Sequence, residues 1–398
     1  MTKALDGLVV LDTTTEFWAA LGVALLGDFG AHVIKIEPPS TRREANAGTW
    51  DHLNELANRN KLSLALDTEP AAGRAALEAL VKKADIFVAD RPIPDLEQRR
   101  LDYASLAALK PDLIYAHGSG YGPAGPDRDA PAIDELAAAR TGIMPILQQP
   151  GQPPVYTEAG QMYSSVMLAF GVMAALRHRA QTGEGQQVNV SLFAGNMYGA
   201  SLDIQAYLAM GGERFLQPVS RLDAGNPMSG VLYRASDGRW VTLTMPDTDR
   251  WWPDLAAITG LDVDDERFNS HEKRCEVNRL ELLSTLEDAF SKQPSDHWRT
   301  ELNARQMSAD VIEDYGYPEG DRSAVRNRYI IDIEDERLGT LRSVGFPIHM
   351  SESPAELTKR APTLGQHSAA VLSKTLGYSA DEIAQLQTDG VIAGVSDG

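Results

Sequence analysis

The segment Leu8-Val9-Val10-Leu11-Asp12, the apolar helical pattern from Phe17 to Phe29, Gly30, and then His32-Val33-Ile34-Lys35-Ile36-Glu37 decide the fold. The first run is short, apolar and bounded by turn-forming residues, as a buried parallel strand requires. Gly30 stands where a C′ glycine ends a helix. The second run is stopped by Pro38-Pro39. Strand, helix and strand within about 30 residues form a right-handed βαβ unit of the Rossmann kind.

The alternation continues outward. Leu62–Leu66 reads as a strand, Glu69–Lys83 as a helix and Ile86–Ala89 as a strand. A short helix ending at Leu106–Leu109 precedes a strand at Leu113–Ala116. Helices are expected through most of Ala132–Ala180, extended chain at Val188–Leu192, and one long helix from Leu192 to Met210. Loop residues from Gln217 to Gly230 mark a boundary, and the polar stretch Tyr315–Arg328 marks a second. The expected division is a large Rossmann-like part over 1–216, a linker and smaller α+β domain over 217–328, and a return to the large domain over 329–398. The fold class is therefore α/β, and the tail ends in helices, the last capped at Ser379-Ala380-Asp381-Glu382.

Composition narrows the partners. A net charge of −19 without a lysine or arginine block repels nucleic acid and anionic membranes. No run of about 18 apolar residues occurs, so no membrane span is expected. Neither a secretory leader nor a zinc pattern is visible, and no tightly bound cofactor is expected. The single cysteine, Cys275, fits a reducing cytoplasm.

Several motifs, in order along nearly the whole chain, carry a family resemblance. They include Gly27-Asp28-Phe29-Gly30-Ala31 with Val33-Ile34-Lys35-Ile36-Glu37, Asn58-Arg59-Asn60-Lys61, and Gly118-Ser119-Gly120-Tyr121-Gly122 with Gly125-Pro126. Further along stand Thr182-Gly183-Glu184-Gly185-Gln186, Gly225-Asn226-Pro227, Asp237-Gly238-Arg239-Trp240, Arg337-Leu338-Gly339 and Pro362-Thr363-Leu364-Gly365. This set resembles the family III CoA-transferases, the CaiB/BaiF family of formyl-CoA and carnitine CoA-transferases. The resemblance implies a large Rossmann-like domain made from both chain ends, a smaller middle domain, and an interlocked-ring dimer. It also implies acyl-CoA and a carboxylic acid as substrates, with an aspartate as covalent nucleophile.

Here the resemblance locates a loss. Counted back from Phe170-Gly171-Val172-Met173, the aspartate's position holds Gln161, whose neutral amide cannot form the anhydride and thioester intermediates. The nearest carboxylate, Glu158, is either a substitute nucleophile or a solvated capping residue. The Ala-Gly-Pro turn of relatives reads Phe17-Trp18-Ala19-Ala20, where Trp18 either crowds the pocket or belongs to the core. The same comparison puts Leu66, Asp90, Arg91, Gln98, Arg99 and Asp134 at acyl-CoA positions, with Gly225 and Gly230 on a mobile loop. Glu69 stands where lysine is frequent, Gln98 where arginine is, Asp90 where asparagine is, and Ala130 replaces an arginine. At about 1 kcal/mol per phosphate contact, losing three cations costs roughly a hundredfold in CoA affinity. Arg42, Arg43, Arg91, Arg99 and Arg100 could compensate.

Three functions stay open at this stage. The chain is the non-nucleophilic subunit of a hetero-oligomer whose paralogous partner carries the aspartate; or a homodimeric transferase using Glu158; or an acyl-CoA isomerase or lyase. A non-catalytic binding subunit is a further alternative. A racemase is disfavoured, because no histidine stands beside Asp134.

Overall fold

A computed structural model describes residues 2–41, 50–146, 148, 151–211, 220, 222, 224–335 and 338–394. Its described residues cluster into two compact units, one over 1–147, 154–216 and 326–398, the other over 148–153 and 217–325.

The first unit is built on β1 (Val9–Asp12), β2 (His32–Glu37), β3 (Lys61–Leu66), β4 (Ile86–Ala89), β5 (Ile114–Ser119) and β6 (Gln186–Ser191). These six pair in parallel in the order 3-2-1-4-5-6. A seventh strand, Ile392–Ala393, runs antiparallel along β3, so the end of the chain completes the sheet that its start began. Successive residues point to opposite faces, and both faces are covered. Leu11, Ile34, Leu64 and Phe87 enter one apolar core, while Val10, Val33, Ile86 and Val88 enter the other.

Helix α1 (Phe17–Asp28) is apolar on all sides because both sides are packed. It lies in the second core with Leu168 and Val172 of the long helix Ala159–Thr182. A Cβ on Gly22 would lie 2.7 Å from the carbonyl of Ser165, so the two helices need glycine to approach this closely.

Helices fill most of Ala132–Ala180, at Asp134–Ala138, Ile143–Ile146 and Ala159–Thr182. One helical expectation changes. The expected helix from Leu192 to Met210 divides at Ala200 into Leu192–Gly199 and Ser201–Met210. Gly199, a weak helix former pressed against the Tyr163 ring, precedes the break. The helix Ala159–Thr182 is also long and apolar enough to cross a membrane by length and composition. One face, with Leu168 and Val172, packs in the core beside α1, while Val166 and Phe170 are exposed.

The second unit has an antiparallel sheet of β7 (Ser229–Arg234), β8 (Trp240–Thr244) and β9 (Ala309–Val311), with its own core around Tyr233, Leu255, Phe290 and Trp298. In the first unit, β10 (Ile330–Asp335) and β11 (Gly339–Val344) form a separate hairpin.

Candidate active site

Strand order reverses between β1 and β4, and open α/β sheets place their ligands beyond the carboxyl ends of strands at such a point. The chain leaving β1 there is Asp12-Thr13-Thr14-Thr15-Glu16, and the chain leaving β4 is Asp90-Arg91. Asp90 holds the two together. Its carboxylate accepts from the Thr15 amide at 2.7 Å, the Glu16 amide at 2.7 Å and the Thr15 hydroxyl at 3.1 Å. It thereby caps α1 from another strand, placing negative charge at the positive end of the helix.

Beneath this turn lies a buried charge cluster. Lys61 Nζ reaches Asp12 Oδ2 at 2.7 Å, the Ala20 carbonyl at 2.8 Å and Asn58 Oδ1 at 3.1 Å. Lys35 Nζ donates to the Thr14 carbonyl and hydroxyl and stands 3.5 Å from Asp12 Oδ1. Burial alone would raise the Asp12 carboxyl, but the two ammonium groups outweigh it and hold it at about 2. Burial lowers Lys61 to about 8 against the pull of Asp12. Glu37, which lines the surface above them, adds its charge to the pull on Lys61.

That surface is a cavity of about 440 Å³, with Thr14 and Lys35 in its wall. Phe17, Leu66, Arg91 and Arg99 also line it, so four of the sequence-predicted CoA positions converge here. Gln98 and Asp90 do not line it. Its arginines are already engaged: Arg99 pairs with Glu69 and, at 2.8 Å, with Asp95, while Arg91 lies 3.4 Å from Asp95. Arg42 and Arg43 lie outside the described residues.

A second cavity, of about 330 Å³, holds Gln161 together with Glu16, Trp18, Ile133, Asp134, Glu135 and Tyr156. Asp134 is buried and doubly satisfied, by the Tyr156 hydroxyl at 2.9 Å and Asn196 Nδ2 at 2.8 Å. Gln161 lies beside Tyr156 in the same wall. Burial, the bond to Asp134 and its charge raise the Tyr156 phenol well above its ordinary value. Gly160 permits this network, because a Cβ there would run into both Asn196 and Asp134.

A third cavity, of about 260 Å³, lies among Asp90, Arg91, His117, Ser119, Arg128 and Ala130. Glu16 borders all three. Burial, then the charge of Asp90, push its carboxyl up.

The remaining sequence-predicted residues separate. Glu158 is exposed, sits in the left-handed region with φ of 57°, and does not line the Gln161 cavity. Trp18 is 1% exposed and packs in the core: a Cβ on Gly118 would lie 2.7 Å from its ring. Yet it also forms a wall of the Gln161 cavity, so pocket and core readings both describe it. Gly225 and Gly230 belong to the second unit, Gly230 with φ of +79°. In the loop Gly118–Gly122, the Gly122 amide bonds to Ser119 Oγ at 3.0 Å, a tight turn.

Sequence reasoning did not single out Asp12, Glu16, Lys35 or Asn196. A signal existed for Lys35, since a lysine inside a buried strand is rare unless paired. Glu16 gave none, being an ordinary acid in a loop.

The comparisons with known proteins agree along the chain. The model of CoA-transferase family III matches residues 5–368. An (R)-2-hydroxy-4-methylpentanoate CoA-transferase of Clostridioides difficile is 29% identical, with 98% of this chain and 99% of that protein covered. A cinnamoyl-CoA:phenyllactate CoA-transferase of Clostridium sporogenes is 28% identical, with 98% and 97% covered. Among solved structures, a CaiB/BaiF family protein of Brucella suis is similar with a TM-score of 0.81 at 25% identity, covering 94% of this chain and 100% of that one. A sheet wound in the Rossmann order, cavities at its switch point and a family match over most of the sequence lead to one conclusion: the chain belongs to CoA-transferase family III.

Proposed function

We propose that this chain works in CoA transfer between carboxylic acids, as the non-nucleophilic subunit of an assembly whose paralogous partner carries the catalytic aspartate. The carrying observation is Gln161. It lines the cavity where the resemblance puts the nucleophile, beside Tyr156 and Asp134. In the reaction of this family, a carboxylate oxygen attacks the acyl-CoA thioester carbon and expels CoA thiolate. The thiolate then attacks the enzyme carboxyl carbon and releases the first acid. The acceptor carboxylate attacks the enzyme–CoA thioester carbon and expels CoA thiolate, which attacks the acceptor's carbonyl carbon in the new anhydride and frees the enzyme carboxylate. An amide supports none of these steps. The exposed backbone site of Glu158 weighs against its replacing the aspartate.

Acyl-CoA is the ligand assigned to the 440 Å³ cavity, whose wall includes Lys35, Arg91 and Arg99. The relatives' names, each a transferase of CoA to or from an organic acid, support the substrate class. An interlocked arrangement of two chains follows from the family resemblance, and a cytoplasmic setting fits the single Cys275.

The test combines native mass with trapping. The protein purified from its own host should carry a stoichiometric second chain of similar size. Incubation with acyl-CoA and hydroxylamine should label that partner and leave this chain unmodified. A homodimer that turns over, or a hydroxamate on this chain, defeats the subunit reading.

A further inference from the structure

A further cavity, of about 350 Å³, lies at the amino ends of β2 and β3, where His32 opens one strand and Asn60 precedes the other. Glu37, at the far end of β2, lines the 440 Å³ cavity, so the two occupy opposite ends of the sheet. The 350 Å³ cavity carries the basic residues Lys3, His32 and Lys359, and Asp6 is the one acid among its described lining residues. Asp6 accepts the Lys3 backbone amide at 2.7 Å, and the Lys3 ammonium stands 3.3 Å from Glu356. Neither the Lys359 ammonium nor the His32 ring has a hydrogen-bond partner among the described residues. Desolvation, then the Lys359 ammonium, lower the pKa of His32, so the two groups lie close enough to repel. The place of Lys359 is fixed by Asn60, which is buried and held in the left-handed region with φ of 63°. Asn60 Oδ1 accepts the amides of Thr358 at 2.7 Å and Lys359 at 3.1 Å, and its Nδ2 donates to the Glu356 carbonyl at 2.8 Å. Its own amide donates to the Lys359 carbonyl at 2.9 Å.

These features select a ligand class. The chain has 56 acidic and 37 basic side chains, yet here a lysine is clamped beside a histidine with no carboxylate paired to either. Like charges held together are relieved by an anion that touches both. A dianion balances Lys359 and a protonated His32, whereas a carboxylate balances only one of them. Lys3 adds part of a third charge, since it is shared with Glu356. We propose that this cavity binds a phosphate group, as the free dianion or as a monoester, between Lys359, His32 and Lys3. Its volume lies within the range of small-molecule sites. Lys3 belongs to the start of the chain and Lys359 to the segment that follows β11, so the bound anion ties the two together. It thereby stabilises the first unit by mass action. No bond is made or broken, and the site is independent of the CoA-transferase reading.

The experiment titrates the intact purified assembly calorimetrically with sodium phosphate, glycerol 3-phosphate and sodium acetate, at about pH 6.5 and constant ionic strength. Phosphate should bind saturably and at least roughly tenfold more tightly than acetate. Lys359→Gln, a change at an exposed side chain, should weaken phosphate at least roughly fivefold. Without phosphate, the same variant should keep its denaturation midpoint nearly unchanged. Carbon-labelled imidazoles report on His32, whose resonance is identified by its disappearance in His32→Gln. Phosphate should raise the His32 titration midpoint, because an anion added to the charges of Lys3, Asp6, Glu356 and Lys359 favours the protonated ring. Absence of saturable binding, acetate as tight as phosphate, no effect of Lys359→Gln, or a His32 midpoint unmoved at saturation would each overturn the proposal. Phosphate that CoA displaces while His32 stays unmoved is bound in the 440 Å³ cavity, and counts the same way. Glycerol 3-phosphate bound as tightly as phosphate makes a phosphorylated metabolite the ligand, and its exclusion makes the free ion the ligand; both results support the site.

Discussion

Asp12 shows how a single side chain decides what the surrounding polar groups can do. Lys61 and Lys35 both direct their ammonium groups at it, and it pairs with the two of them at once. Asp12→Asn removes the carboxylate with which both lysines pair. Breaking a buried pair from one side costs about 3–5 kcal/mol, so urea denaturation should show a loss of that size with little change in slope. The pH dependence has a definite sign. The Asp12 carboxyl is held at about 2 in the fold against an ordinary 3.8, so its stabilisation is complete above pH 3.8 and is lost as pH falls through 2. The native protein should therefore weaken between those values, and Asp12→Asn should lack that portion of its acid sensitivity. Glu69 acts in the other direction, on function. Its carboxylate occupies Arg99 at the rim of the 440 Å³ cavity. Glu69→Lys releases one cation and adds another, so calorimetric titration with CoA should show affinity rising roughly five- to thirtyfold, with a steeper dependence on salt.

Among elements, the β1–α1 turn borders three cavities through Glu16, and its support comes from the chain leaving β4. Asp90 replaces a local N-cap, for Glu16 at the cap position makes no side-chain bond of its own. Asp90→Ala strands the part-buried amides of Thr15 and Glu16 and should cost about 1–3 kcal/mol in chemical denaturation. Asp90→Asn retains one carbonyl acceptor and removes a buried charge that burial disfavours, and should cost about 1 kcal/mol or less. The same turn marks the limit of what the residues alone disclose. Strands β1 and β2 and the helix between them were legible because their apolar runs and Gly30 follow rules that act within a dozen residues. The place given to Gln161 rests on counting back from a motif of the family resemblance. The capping of α1 by Asp90 depends on residues about 75 apart meeting at the switch point, and no local pattern encodes it. Trp18 was ambiguous for a related reason, since one indole can fill a core against Gly118 and wall a cavity with its other edge. The break at Ala200 was missed because helix propensity accumulates over a window, whereas the approach of Gly199 to Tyr163 is a tertiary event.

At the scale of the whole molecule, charge and exposed apolar surface set the terms of association. Phe170 is 74% exposed, Tyr198 69%, Leu202 86% and Leu208 68%, all on the three helices from Ala159 to Met210. Large side chains left in water on consecutive helices are characteristic of a surface that meets another protein. A second copy of this chain would meet it carrying the same charge of −19, and two such bodies repel one another. Added salt screens that repulsion within a Debye length of about 10 Å at 0.1 M, while hydrophobic burial persists. Self-association of the isolated chain should therefore strengthen as sodium chloride is raised from low to moderate concentration, as measured by sedimentation equilibrium. A paralogous partner of smaller net charge feels less repulsion, and its complex with this chain should persist at low salt. Self-association already complete at low salt, and unaffected by its increase, would mean that charge does not discourage the homodimer and would remove this reason for a divided enzyme. Leu202→Glu supplies the control, because it adds charge at a side chain that packs on little within its own chain. It should weaken either assembly while leaving the denaturation midpoint of the separated chain nearly unchanged.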